Sequence, residues 1–304
     1  MFDIVSVGNF SIDSIFLPSR QSPFVVLGGS AAYVSLAASR FAARVAVISK
    51  VGCDFPAAYR WWLGQEGINL AGLTAVADAL TTRFELKYNC DLSERALFLK
   101  SQAPRLTVDD VPASLKALAI HVSPIAGEIT YEVAERLKGC TDVLSLDPQG
   151  LVRGYGENGE VRRGSLEDKR ILGLVDIYKS SLSEIRAVTD LSDLNSAIKG
   201  VHDCGVSTVI VTLGSKGAVV SAGGAYYSIP ACKPSKLVDP TGAGDAFVGG
   251  FLAEYVNGEN ILRCGCVGAA AASFVVEGVG PTVFGDKPQV YERARELYEK
   301  EIKQ

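Results

Sequence analysis

The chain has 304 residues, 48% hydrophobic and 21% charged, the make-up of a globular protein rather than a disordered, collagenous or coiled-coil one. Thirty basic against thirty-four acidic residues leave a net charge of −4, which gives no reason to expect a nucleic-acid or anionic-membrane partner. The longest apolar stretches, such as 269–276, are too short to cross a bilayer, and MFDIVSVGNFSID puts no basic run ahead of an apolar one, so a cytoplasmic protein without a secretory signal is expected.

Residues 3–7 (DIVSV) form a short apolar run ending at Gly8 and predict a first strand. Residues 12–26 read as extended. Residues 29–41 (GSAAYVSLAASRF) are Ala-rich with helical spacing. Residues 44–49 (RVAVIS) predict a strand, and 57–65 a helix closing at Gly67. In 82–89 (TRFELKYN) Phe84, Leu86 and Tyr88 alternate with Arg83, Glu85, Lys87 and Asn89. With the turn-like CDLSE and 95–100 (RALFLK) this predicts a hairpin with one apolar face. Further strands are expected at 119–122, 143–146, 171–175 and 208–212, with helices at 128–138, 183–189 and 194–204 between them. Strand–helix alternation of this length predicts parallel βαβ units, helices on both faces, and one α/β domain over 1–304. Segments 12–26 and 82–100 stand outside that rhythm. They are either an edge hairpin without function or a small second sheet, a lid over a site.

Seven cysteines are an odd number, no CxxC occurs, and Cys264 and Cys266 are too close for a zinc knuckle. His121 and His202 have no second ligand nearby in sequence. Structural roles are expected for the seven cysteines, and no protein-held metal.

The chemistry concentrates at 238–254 (VDPTGAGDAFVGGFLAE). Gly242 and Gly244 lack Cβ atoms and let the backbone present its N–H groups. Phe247, Phe251, Leu252 and Tyr255 then have helical spacing. A glycine turn opening a helix is an anion site. Asp245 in that first turn would favour the helix by itself. Beside a bound phosphate it would repel, unless it had a proton to take. Donors for developing charge next to a base are what phosphoryl transfer to an alcohol needs. No GxxxxGK[ST] is present, and Phe247 stands where a dinucleotide fingerprint would have its third Gly.

DPTGAGDAF at 239–247 resembles the second signature of the PfkB, or ribokinase-like, carbohydrate kinases. The resemblance runs through most of the chain in order. VSVGNFSID at 5–13 is similar to the family's first strand and sugar-binding Asp, and GGSAAYVSLAASRF at 28–41 to its first signature. KVGCD at 50–54 and EGIN at 66–69 resemble its next blocks. SLSE at 181–184 stands where NxxE is usual, and VTLGSKGAVV at 211–220 looks like its nucleotide-site strand and turn. The resemblance implies a central mostly parallel sheet with helices on both faces and a β-sheet lid. It implies Asp245 as base, and the N–H groups of Gly242, Ala243 and Gly244 as anion hole. Asp13, Gly28 and Gly29 would meet the acceptor; Thr212, Gly214 and Gly217 would meet ATP; Glu184 would help organise Mg²⁺ and water. Mg²⁺ itself prefers water and substrate phosphates to an all-protein cage. A monovalent cation near Asp239 and the 270–280 loop, and a homodimer through the lid, are further implications.

The chain departs from the pattern at Tyr33, in place of the first signature's Asn, and at Ser181, in place of the Asn of NxxE. DPQGLVR at 147–153 replaces DxNxR and is similar to a DxQxxxR pattern of inositol kinases, with Arg153 either at the acceptor or a surface charge. Asp13 accepts hydrogen bonds from paired hydroxyls and repels phosphate. The acceptor is therefore expected to be neutral: a myo-inositol-like cyclitol or a sugar. The alternative is a nucleoside, whose base Phe10, Phe16, Phe24 and Tyr33 could surround. The intact Asp245 turn argues against an inactive binding protein on this fold.

Overall fold

Short apolar runs become the strands of a computed structural model that describes residues 1–41, 43–92 and 94–299. In chain order they are β1 (Phe2–Val7), β2 (Ser11–Phe16), β3 (Phe24–Gly28), β4 (Val45–Gly52), β5 (Asn69–Val76), β6 (Thr82–Tyr88), β7 (Arg95–Ser101), β8 (Ala117–Val122), β9 (Thr141–Leu146), β10 (Arg153–Tyr155), β11 (Val161–Arg163), β12 (Ile177–Ser181), β13 (Thr208–Thr212), β14 (Ala218–Ala222) and β15 (Ala225–Ile229). The helices are α1 (Ser30–Ser39), α2 (Ala57–Gln65), α3 (Tyr131–Lys138), α4 (Leu182–Thr189), α5 (Leu194–His202), α6 (Ala243–Tyr255), α7 (Ile261–Val275) and α8 (Lys287–Leu297).

Nine strands form the main sheet in the order β15-β14-β13-β12-β9-β8-β1-β4-β5. All neighbours are parallel except at the β13-β14-β15 edge. Successive side chains of a strand face opposite ways, so both faces must be covered. Val5, Ile120, Leu144 and Val209 pack under α3, α4 and α5. On the other face Ile4, Val45, Ile177 and Ile210 pack under α1, α6, α7 and α8. That second face is interrupted by polar residues. Ser6, His121 and Ser145 lie side by side on adjacent strands, all fully buried. His121 Nδ1 is 2.9 Å from Ser145 Oγ, and burial pushes the imidazole down to about 3, so it is neutral. Two residues further along the strands, on the same face, stand Ser123, Asp147 and Lys179. The polar stripe thus leads to the carboxyl ends of the strands, where open α/β sheets bind ligands.

A separate four-stranded sheet has the order β3-β2-β6-β7. Phe84, Leu86, Leu97 and Leu99 share its apolar face and pack with Ile15 against Ile125 and Ala126 of the main body. The opposite face pairs Arg83 with Asp54, and Lys87 and Lys100 with Glu85. Ser93, of the turn-like CDLSE segment, lies outside the described residues.

Residues 171–175 are not a strand. Ile171 and Leu172 are buried, but from a 3-10 turn, Lys169–Leu174, capped by the Asp168 carboxylate on the Arg170 amide. The strand follows at Ile177–Ser181, where Lys179, Ser180 and Ser181 mask the apolar pattern. The helix expected from 128 begins at Tyr131, because the Glu128 carboxylate accepts the amides of Asn9, Ile125 and Ala126 instead. Among the described residues no helix is long and apolar enough to cross a membrane. All seven cysteines are free.

Candidate active site

Gly242 caps α6 in the left-handed region, φ 80°. A side chain there would also overlap the Tyr33 ring, so both the turn and the packing require glycine. Among the described residues the amides of Gly242, Gly244 and Asp245 have no backbone partner outside the helix, whereas the Ala243 amide makes a long, 3.4 Å bond to Pro240 O. The turn is pinned from behind. Asp239 Oδ1 accepts the Thr241 amide at 2.9 Å and the Thr241 hydroxyl at 2.6 Å, and Oδ2 accepts the Gly280 amide at 3.3 Å. The segment that follows α7 meets Asp239 through Val276 and Gly280. The Asp239 carboxylate is already engaged by three protein donors, so this geometry does not call for a cation there.

Asp245, half-buried, looks into a cleft with about 410 Å³ of empty space, part of it open to solvent. Burial raises its carboxyl to about 6; Lys179 acts in the opposite direction, while Asp147 adds to the rise. Asp13 faces it from β2. Burial raises Asp13 to about 6 as well, and its Oδ1 has no partner among the described residues. Gly28, paired with Ser11 across β2 and β3, packs flat against that carboxylate. The Tyr33 ring is buried under Gly242, and its hydroxyl also lacks a partner. Burial, then Asp239, Asp13 and Asp245, hold that phenol protonated, so it is a donor.

Arg153 is no surface charge. Its Nη1 donates to Ile125 O at 2.6 Å and Nη2 to Gln149 Oε1 at 2.9 Å. Gln149 Nε2 in turn donates to Ser30 Oγ. The cleft thus gathers Asp13, Gly29, Tyr33, Arg153, Gly242 and Asp245, with one apolar wall of Phe84, Leu86, Leu97 and Ile125. Thr212, Gly214, Gly217 and Glu184 lie outside it, at the ends of β13 and β12, where Ser181 pairs with Thr212. Glu184 closes a capping box on α4: its Oε2 accepts the Ser181 amide and hydroxyl, each at 2.7 Å. Ser181 therefore serves as helix cap in the position of the missing Asn.

The sequence offers Arg83, Lys87, Arg95 and Lys100 only as hairpin cations expected to be solvated. Arg95 instead lines the cleft from β7, while Arg83, Lys87 and Lys100 sit in surface ion pairs. Gln149 stands in the DxQxxxR segment, Tyr88 on the alternating face and Ser30 in the first-signature segment, none with a role read from it, and Lys179 carries no pattern of its own. Of the four aromatics expected around a base, only Tyr33 lines the cleft; Phe10 stacks on Phe55, Phe16 sits under Lys87 and Phe24 under Arg20.

An amide-rich helix start beside a carboxylate, reached through a cleft with a second carboxylate, is equipment for moving a phosphoryl group onto an alcohol. Residues 163–287 match the model of the pfkB family carbohydrate kinases. The cytidine kinase of Thermococcus kodakarensis is 31% identical over 92% of this chain and 98% of its own length. The chain belongs to the pfkB family of carbohydrate kinases. As a member it is a kinase with an alcohol acceptor. The family likeness extends to an inositol 3-kinase of Arabidopsis thaliana, 27% identical over 92% of this chain and 76% of the relative. It extends also to the solved nucleoside kinase of Methanocaldococcus jannaschii, an archaeal member of the ribokinase family: TM-score 0.80, 26% identity, 97% of this chain and 99% of that one. The nine-stranded sheet with its small companion sheet is the fold of this family.

Proposed function

We propose that this kinase transfers the γ-phosphoryl of ATP to a hydroxyl of a neutral nucleoside. The observation that carries the reading is the pairing of an unpartnered Asp13 Oδ1 with an apolar wall of Phe84, Leu86, Leu97 and Ile125 in one cleft. A ribose offers paired hydroxyls to the carboxylate, and a flat base covers the wall. A cyclitol satisfies Asp13 but leaves the apolar surface wet. The similarity to the Thermococcus cytidine kinase points the same way.

In this reading the acceptor hydroxyl lies against Asp245, which takes its proton as the oxygen attacks. The Gly242, Gly244 and Asp245 amides, with Ala243 contributing less, hold the charge on the transferred group. Tyr33 donates its hydroxyl inside the cleft. Thr212, Gly214 and Gly217 hold the nucleotide at the neighbouring strand ends. The Glu184 oxygen outside the cap makes no hydrogen bond among the described residues and suits the water shell of a Mg²⁺ carried in on ATP, which would neutralise phosphate charge. The hairpin sheet closes over the acceptor and excludes water.

A cyclitol remains the second reading, favoured by the Gln149–Arg153 pair at the cleft wall. A coupled ADP-release screen with Mg-ATP over nucleosides, inositols and sugars decides. Turnover with a nucleoside and none with inositols is expected. The reverse pattern overturns the nucleoside assignment.

A further inference from the structure

Lys179 stands where a central parallel strand ordinarily carries an apolar side chain. It is 4% exposed, and its Nζ donates to Asp147 Oδ2 at 2.6 Å. The other Asp147 oxygen accepts the Gln149 amide at 3.0 Å, which fixes the pair from β9. Burying two charges carries a desolvation penalty that mutual attraction often fails to recover, and well-packed apolar residues frequently serve stability as well. Stability alone does not account for this pair.

Its place does. A Cβ on Gly244 would stand 2.8 Å from Lys179 Nζ. Gly244 lies in the first turn of α6, whose free amides form the anion site. The ammonium therefore sits directly behind that turn, on the protein side. The carboxylates facing it are Asp147, Asp245 and Glu184, and neutral His121 faces it from β8. Asp245 in turn is faced by Lys179, Asp147, Glu184 and Ser30, and by the Tyr33 phenol.

We infer that Lys179, held by Asp147, is a positioning residue for phosphoryl transfer: a fixed positive charge behind the anion hole and beside Asp245. This rests on Asp245 being the base. A buried, preoriented cation needs no reorganisation when charge develops on the phosphoryl. It also resolves the conflict of a carboxylate beside an anion site, because the ammonium offsets the repulsion without reaching the solvent side. Gly244 is needed for the close approach.

Lys179 and Asp147 act on Asp245 with opposite signs, and the test uses that. The pH dependence of kcat/KM is measured for the wild type, Lys179→Gln, Asp147→Asn and Asp245→Asn. Lys179→Gln is expected to move the acid limb up by about 1 pH unit, and Asp147→Asn to move it down. The kcat of Lys179→Gln falls about 10-fold to 100-fold, somewhat less than loss of a direct oxyanion donor, with both KM values changed less than about threefold. A purely structural pair would move both variants alike. If Lys179→Gln does not fold, Asp147→Asn/Lys179→Gln leaves no buried charge unmatched, and its limb is expected to move up, though less. An acid limb that persists in Asp245→Asn sinks the base assignment. A limb that vanishes there but stays fixed, or shifts the same way, in the charge variants overturns the role of Lys179 alone.

Discussion

Asp13 and Asp245 have the same pressure on them and, in the proposed mechanism, opposite tasks. Burial raises both to about 6, yet Asp245 has Lys179 behind it and Asp13 has an oxygen with no partner. Asp245→Asn keeps the size of the side chain and removes the proton acceptor. A positioned base contributes about 10²–10⁴-fold, so kcat is expected to fall by that factor with ATP affinity little changed. Near wild-type turnover, when chemistry limits the rate, would place the base elsewhere. Asp13→Ala is expected to raise the acceptor KM strongly and leave the ATP KM nearly still, because paired hydroxyls lose a charged partner. Steady-state kinetics with each substrate varied separates this from a structural defect, which weakens both. The DPTGAGD segment made Asp245 visible in the sequence, since few residues can follow a glycine turn and still take a proton. Lys179 was not visible: a single lysine in a strand has meaning only once Asp147 and Gly244 are seen against it.

At the scale of elements, the chain was legible where one period governs. The helix expected at 57–65 is α2, and the strand expected at 208–212 is β13. Alternation in 82–89 put Phe84, Leu86 and Tyr88 on one face, and they share it in the structure. Legibility failed where tertiary contacts override local pattern. The apolar 171–175 run is a capped turn, and α7 is buried nearly all round by small residues, so no stripe distinguishes it. The connection of the hairpin to the glycine turn was also invisible. Thr241 gives its hydroxyl proton to Asp239, so Tyr88 OH, 2.8 Å away, must donate to Thr241, and Arg95 Nη1 donates to Tyr88 OH at 3.2 Å. This directed chain ties the hairpin sheet to the anion site. Amide exchange across 82–100 is expected to slow when acceptor and a non-hydrolysable ATP analogue bind together. Tyr88→Phe removes one link, worth about 1 kcal/mol or about fivefold. Part of the added protection should disappear, and acceptor-free ATP hydrolysis should rise relative to product. Unchanged exchange in a ligand-saturated wild type would leave the hairpin as a static edge.

For the molecule as a whole, the site is a burden that the rest of the fold carries. A buried carboxylate on β2, the half-buried Asp245, an unpartnered phenol and a buried ion pair are carried by the fold, and none is there for packing. The sign of the effect can be worked out for Asp13, which is 6% exposed. In the folded chain it holds its proton up to about pH 6, against an ordinary 3.8. Between those values folding takes up a proton, and this group's contribution to stability falls as pH rises. Above about 6 the carboxylate is ionised in both states and the penalty is constant. Its upper bound is about 3 kcal/mol, from 1.36 kcal/mol for each pKa unit. Asp13→Asn carries no charge at any pH and should escape it. The ligand-free variant is expected to melt a few degrees above the wild type at pH 7–8, with the gain shrinking through pH 6 and gone below 3.8. Calorimetry of both proteins from pH 3 to pH 8 reads the difference directly, and the other titrating groups cancel in it. A gain that is absent at neutral pH, or that grows toward acid, would mean that Asp13 is partnered in the free enzyme, and the acceptor would then have to displace that partner to reach it.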